Sequence, residues 1–237
     1  MLILGFSTSD EECGIAIQRG GAIIGSDTFA GARSCLEELT PRTEKLLATL
    51  EISIRDIDKF AVDAGPGGLA GIKIGLSTVK TLAQLTGRPI VAVSSLLSIS
   101  HAAAAAGAVP PGGLLLPLVN CSRNEFFCAL FRRSADGSGV ERLIQDRLCD
   151  PDILRGLLSG LGEGGELLAL GNAAGRLRPA IEETLGARAR FAEPPLGRPR
   201  AEVICEIAAA LDGVPYNEAQ PNYLCLSNAE RNFGVRP

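Results

Sequence analysis

The chain has 237 residues, enough for one large domain or two lobes with a buried core, and it combines 46% hydrophobic and 21% charged residues with a net charge of -4. That balance excludes a disordered chain and a broad basic surface that grips phosphates by charge alone, and the lack of Trp with only 4% aromatics leaves few platforms for stacking bases. A single histidine, His101, excludes every metal or catalytic motif built on two, H-E-x-x-H and H-x-x-x-H among them.

In chain order, the pattern opens with a strand over Met1–Ser7, a polar turn Thr8–Glu12 and a second strand over Cys13–Gln18. Gly20-Gly21 then makes a tight connection into a third strand, Ala22–Phe29, which together read as an antiparallel meander. Thr40-Pro41 resembles a helix start with Pro at the first helical position, and Leu46, Leu47 and Leu50 recur at helical spacing. A buried strand over Phe60–Asp63 runs into Gly65-Pro66-Gly67-Gly68, a helix follows over Leu69–Leu85, and Gly87 with Pro89 ends it. A strand over Ile90–Val93 leads into an Ala-rich helix over Ser94–Ala106. Gly107–Gly113 is the natural boundary, dividing the chain into lobes 1–107 and 108–237. Strands over Leu114–Val119, Glu125–Arg132 and Val140–Gln145 come next, then short helices with Gly-rich loops and a helix over Ala201–Leu211. At an offset of 113, Leu2, Ser9, Glu12, Ala16 and Arg19 fall on Leu115, Ser122, Glu125, Ala129 and Arg132, which suggests a duplicated α/β lobe.

The seven cysteines, at 13, 35, 121, 128, 149, 205 and 225, are odd in number, form no C-x-x-C and sit mostly in apolar runs. They read as reduced thiols of a cytoplasmic protein, and no apolar run approaches the roughly 18 residues of a membrane span or the pattern of a leader. The loop Gly65–Gly68 lies between a strand and a helix, where it is either an anion cradle or a tight turn for close packing. It is neither a P-loop nor, without an acidic residue after the next strand, a dinucleotide fingerprint. Gly71 and Gly75 share one helix face with Ile72, Leu76 and Val79 beside them, so that face either packs a second helix across an intermolecular interface or is buried inside its own lobe. Asp10, Glu12, Asp63 and Glu125 read as solvated turn residues, His101 as an ordinary histidine, Cys121 and Cys128 as inert thiols, and Arg123, Arg132, Arg133 and Arg142 as solvated sheet faces.

Asp63–Gly75 (DAGPGGLAGIKIG) resembles the GPGSFTGLRIG signature of the bacterial TsaB (YeaZ) family. Gly87-Arg88-Pro89-Ile90, Val93–Leu96, Leu114–Phe131 and Pro221-Asn222-Tyr223-Leu224 with Ala229-Glu230 are similar to later segments of that family, and Ile3–Ile17 to its first strands. The resemblance implies a duplicated actin-like (ASKHA) fold of two lobes, each with a mixed antiparallel/parallel sheet and flanking helices. It also implies a non-catalytic subunit for making N6-threonylcarbamoyladenosine beside the anticodon of tRNA. In that family the catalytic paralogue TsaD carries the metal-binding H-x-x-x-H, pairs with TsaB through first-lobe helices, and is joined by the P-loop ATPase TsaE. Homodimers use similar surfaces, and tRNA is reached through the complex.

Carried over by position, the resemblance places the partner interface at Leu46, Leu47, Leu50, Gly71, Ile72, Gly75, Leu76 and Val79, with Gly65, Pro66, Gly67 and Gly68 forming the glycine-rich loop. A bulky residue such as Leu at Gly75 is then expected to block close helix packing and weaken homodimer or TsaD binding. No catalytic or metal residue and no required cofactor is implied, with ATP or ADP a candidate at the shared interface of the complex. The chain departs from the family at Ser7 and Asn120, where Asp is usual, at Gly68-Leu69-Ala70, where Ser-Phe-Thr is usual, and at Cys225, where Arg is common. The alternative is a small-molecule phosphotransferase of the same fold, against which the missing carboxylates at Ser7 and Asn120 argue. A peptidase has neither a metal site nor a nucleophile–histidine pair to work with.

Overall fold

The computed structural model describes residues 1–31, 34–122, 124–162, 165–193 and 196–225. The first sheet begins with the meander β1 (Leu2–Ser7), β2 (Glu12–Arg19) and β3 (Ala22–Ala30). Gly20 and Gly21, at φ 58° and 94°, supply the left-handed turn that joins β2 to β3, a conformation that side-chain-bearing residues avoid. β4 (Lys59–Asp63) then joins parallel to β1, and β5 (Ile90–Val93) parallel to β4, giving the order β3-β2-β1-β4-β5. The second sheet repeats this with β6 (Leu114–Asn120), β7 (Phe126–Arg133), β8 (Val140–Cys149), β9 (Leu167–Leu170) and β10 (Ala189–Phe191), in the order β10-β9-β6-β7-β8.

The helices fall at matching places in the two repeats. α1 (Ser34–Thr49), α2 (Leu69–Thr86) and α3 (Ser95–Ala105) belong to the first, and α4 (Pro151–Ser159), α5 (Ala174–Leu185) and α6 (Ala201–Ala209) to the second. This is the duplicated actin-like fold. The offset of 113 carries β1 onto β6 and β2 onto β7 to within a residue at most ends.

Each central strand alternates its side chains between two helical layers. On β1, Leu4 and Phe6 face α1 and α2, whereas Ile3 faces α6. On β6, Leu114, Leu116 and Leu118 face α4 and α5, whereas Leu115 and Val119 face α3. The division at 107/108 therefore separates the repeats in sequence but not in packing. α3 covers the second sheet with Leu96, Ile99 and Ala103, and α6 covers the first sheet with Val203, Ile204 and Ala208. Past α6 the chain stays on the first sheet, where Val214 pairs with Ile90 and the Asn222 amide donates to the Ala64 carbonyl. Residues 201–219 thus pack with the first sheet rather than the second.

Two further expectations change. α1 begins at Ser34, so Thr40-Pro41 lies inside the helix and does not start it. Cys35, Leu39, Thr43 and Leu47 recur every fourth residue as one buried stripe, which carries the helix through Pro41 on its exposed face. β9 and β10 escape the sequence reading because runs of 4 and 3 residues are too short to show alternation.

Candidate functional site

The glycine-rich loop closes on its own lobe. Gly65, at φ 93°, turns the chain out of β4, and Gly68 is the N-cap of α2. The β1–β2 turn, Thr8-Ser9, lies against this corner, where the Ser9 carbonyl accepts the Gly68 amide at 2.7 Å. A Cβ at Gly67 would stand 2.6 Å from that same carbonyl oxygen. A Cβ at Gly71 would sit on the Thr8 carbonyl oxygen, and one at Gly75 on the Thr8 hydroxyl. The close packing that the tight-turn reading of Gly65, Pro66, Gly67 and Gly68 calls for is present at Gly67 and Gly68. An amide that would have faced an anion is bonded to a backbone carbonyl, and Pro66 has no N–H to offer.

Beneath the turn lies Asp63, at the end of β4 and fully buried. Its Oδ2 accepts the Ser9 hydroxyl at 2.7 Å, the Ser7 hydroxyl at 3.2 Å and the Ser9 amide at 3.3 Å, and the Ser9 hydroxyl lies 3.1 Å from that of Ser95. Its Oδ1 has no hydrogen-bond partner among the described residues. Burial pushes the carboxyl up to about 6, against the pull of the serine hydrogen bonds. Asp63 is therefore not a solvated turn residue. The apolar run Phe60–Ala64 around it was the available signal, because an acid inside such a run has no route to water.

The expected interface residues are largely consumed within the lobe. Leu47, Ile72, Gly75, Leu76 and Val79 are buried, and Leu46 and Leu50 lie over Gly25 of β3, which has no side chain to hold them off. Gly71 and Gly75 face the Thr8-Ser9 turn and not a second helix. What α1 and α2 leave uncovered is a different set, with Leu36 71%, Leu69 45% and Leu85 62% exposed. On α2, Ile74 and Leu82 are half-buried, and Lys73, Ser77 and Gln84 are exposed.

A cleft of about 700 Å³ is lined by Glu12–Gly14 and Thr28 of the first sheet, by Gly171 and Asn172, and by residues 196–202. Its arginines face carboxylates. Arg198 lies 3.8 Å from Asp10, 3.9 Å from Glu11 and 3.7 Å from Glu12, and Arg200 3.6 Å from Glu202. The Ser7 hydroxyl, with one proton to give, lies 3.0 Å from the Pro199 carbonyl and 3.2 Å from Asp63 Oδ2, and the Asn120 side-chain amide donates to the Asn172 carbonyl at 3.1 Å, so both positions where Asp is usual in the family are tied into protein.

The remaining candidates separate. Glu125 accepts the Ser122 hydroxyl at 3.1 Å, and His101 is half-buried in α3. Cys128 and Cys149 are buried with their sulfurs 2.8 Å apart, the Cys13 thiol is pushed up by its hydrogen bond with Cys35 and by burial, and burial raises Cys205 to about 12. Cys121 is half-buried. Arg132 lies 3.5 Å from Glu141, Arg133 donates to the Val109 carbonyl at 2.7 Å, and Arg142 stacks on Phe131, so these three do not form a free basic face. Arg123 and the Ala229-Glu230 pair lie outside the described residues. Among the described residues, no group of three or more His, Cys, Asp or Glu is placed to hold a metal ion, and no helix is long and apolar enough to cross a membrane.

Residues 30–179 match the model of the family described as TsaD, tRNA N6-adenosine threonylcarbamoyltransferase. A curated relative, the tRNA threonylcarbamoyladenosine biosynthesis protein TsaB of Bacillus subtilis, is 26% identical over 234 residues, 98% of each chain. TsaB of Escherichia coli is 24% identical over 94% of each. The tRNA N6-adenosine threonylcarbamoyltransferase of Tropheryma whipplei is 34% identical, but over 44% of this chain and 29% of its own length. In structure, YeaZ from Pseudomonas aeruginosa superimposes with a TM-score of 0.79 at 21% identity, over 94% of this chain and 99% of that one. The match to the transferase covers under a third of that protein's length, whereas the match to TsaB runs from end to end, and the chain belongs to the TsaD family as a member of its TsaB (YeaZ) branch.

Proposed function

We propose that this chain is a non-catalytic subunit in the synthesis of N6-threonylcarbamoyladenosine on tRNA. In this reading it binds and activates the transferase TsaD, with TsaE joining the pair, and reaches tRNA through that complex in the cytoplasm. The observation that carries the reading is the end-to-end similarity to TsaB of Bacillus subtilis over 98% of both chains. One histidine in the whole chain supports it, since a metal site of the H-x-x-x-H kind needs two. The docking face in this reading is the exposed side of α1 and α2, with Leu36 and Leu69 near the starts of the two helices and Leu85 at the far end of α2, and the same side covers itself in a homodimer when the chain is alone. The chain requires no cofactor of its own, and ATP or ADP is held at the shared interface of the complex.

The test is co-purification with TsaD from the same cell, followed by assay of tRNA modification with and without this chain. Leu85→Glu combined with Leu36→Glu places charge on the exposed face while leaving the core untouched, and is expected to weaken TsaD binding at least about tenfold with little change in melting temperature. Wild-type chain that neither binds TsaD nor supports modification would overturn the reading.

A further inference from the structure

We infer that Asp146 is a latch that fastens the second lobe and the C-terminal tail onto the glycine-rich corner of the first lobe. Asp146 lies on β8, and its side chain is only 8% exposed. One carboxylate oxygen, Oδ2, accepts two hydrogen bonds from elsewhere in the chain. The Ser94 hydroxyl donates at 2.5 Å from the end of β5, and the Asn222 side-chain amide donates at 2.8 Å from the tail. The other oxygen accepts from the guanidinium of Arg142, which is held flat on the Phe131 ring at 4.6 Å. One buried carboxylate thus joins the first sheet, the second sheet and the tail.

Each arm leads to the same corner. Ser94 caps α3 by accepting the Leu97 amide at 3.2 Å, and the next residue, Ser95, donates its amide to the Gly65 carbonyl at 2.9 Å. Asn222 donates its backbone amide to the Ala64 carbonyl at 2.8 Å. Both partners of Asp146 are therefore also bonded, directly or through one neighbour, to the two residues that open the glycine-rich loop. Beyond Asn222, Leu224 and Cys225 pack against the α3 layer of the second sheet, so the tail spans both lobes. Hydrogen bonds to a carboxylate are stronger than neutral ones, and removing this acceptor strands two partly buried donors together with the Arg142 charge. The loss should appear first where those donors were holding the chain.

Hydrogen–deuterium exchange read by mass spectrometry on the full chain tests this. In Asp146→Ala, amides at 64–70 and 220–225 are expected to exchange about tenfold faster, while β1–β2 and β9 keep their protection. Asn222→Ala removes one arm from the half-buried tail and leaves the Asp146 carboxylate bonded to Ser94 and Arg142, with less risk to folding, and is expected to loosen the same two segments to a smaller extent. The double variant should add nothing beyond Asp146→Ala at residues 220–225, because the arm is already cut. Asp152→Ala, which removes an exposed partner of Arg155 in the same lobe, serves as the control and should change neither segment. Unchanged exchange at 64–70 and 220–225 in Asp146→Ala would overturn the latch, and so would faster exchange spread evenly over the molecule. If Asp146→Ala does not fold, Asn222→Ala decides by the same two segments.

Discussion

Asp63 sits where folding penalises its charge. Its folded-state value of about 6 lies above the ordinary 3.8, so the folded state holds the proton more tightly than the unfolded chain does. Its contribution to stability is fullest below about pH 4 and is lost as the pH rises through about 6. Asp63→Asn removes that dependence. The amide oxygen can take the Ser9 hydroxyl and amide, the Ser7 hydroxyl can turn to the Pro199 carbonyl, and the amide nitrogen then occupies the place of the unpartnered Oδ1. Urea unfolding at pH 7.5 is expected to show the variant more stable, on the order of 1–3 kcal/mol, with the difference vanishing near pH 4. The glycines above it lead to an opposite expectation. Alanine normally gains about 1 kcal/mol over glycine inside a helix, but at Gly75 it would meet the Thr8 hydroxyl and at Gly71 the Thr8 backbone carbonyl. Thermal unfolding should rank wild type above Gly75→Ala, and Gly75→Ala above Gly71→Ala, because a backbone carbonyl cannot rotate aside. Gly75→Leu accordingly should act by unseating the turn within the lobe, so lost association in that variant would arrive with a lowered melting temperature.

At the scale of elements, α6 is held against the first sheet by absent side chains. A Cβ at Gly14 would lie 3.3 Å from the Ala201 Cβ, and one at Gly5 would collide with the Cys205 sulfur. Gly5→Ala is expected to lower stability by roughly 1–3 kcal/mol by forcing the helix outward, measured as the midpoint of urea unfolding. Cys205→Ala in the same chain should recover part of the loss, since it removes the atom that the new methyl meets. These close approaches explain why small residues mattered more than apolar ones in the pattern. Strand and helix positions were readable because alternation and four-residue spacing are local properties. The partner of a glycine stripe is not a local property. The same Gly71 and Gly75 spacing serves a neighbouring helix or a neighbouring turn equally well, and only the position of Thr8-Ser9 decides between them. The exposure of Leu36, Leu69 and Leu85 was not legible for a related reason, as they lie off the strongest periodic stripe and that stripe is the buried one.

At the scale of the whole molecule, the exchange of α3 and α6 makes each lobe dependent on the other repeat. A fragment ending at 107 would lack α6 and leave Ile3, Ala16, Ala61 and Val91 bare on one face of its sheet. It is expected to be insoluble or aggregated, whereas the full chain should unfold in one calorimetric transition with matching calorimetric and van't Hoff enthalpies. Two separated transitions would contradict that packing. The sequence by itself determined the repeat, most strands and helices, the family resemblance and the exclusion of two-histidine metal chemistry. These depend on residue identity and on spacing over a few turns. Only the tertiary structure decided that the third helix of each repeat covers the other repeat's sheet, that Asp63 is buried beneath its turn, and that Asp146 gathers both lobes and the tail. Those outcomes depend on which distant surfaces meet, and that is set by the summed burial of both faces of two sheets rather than by any single segment.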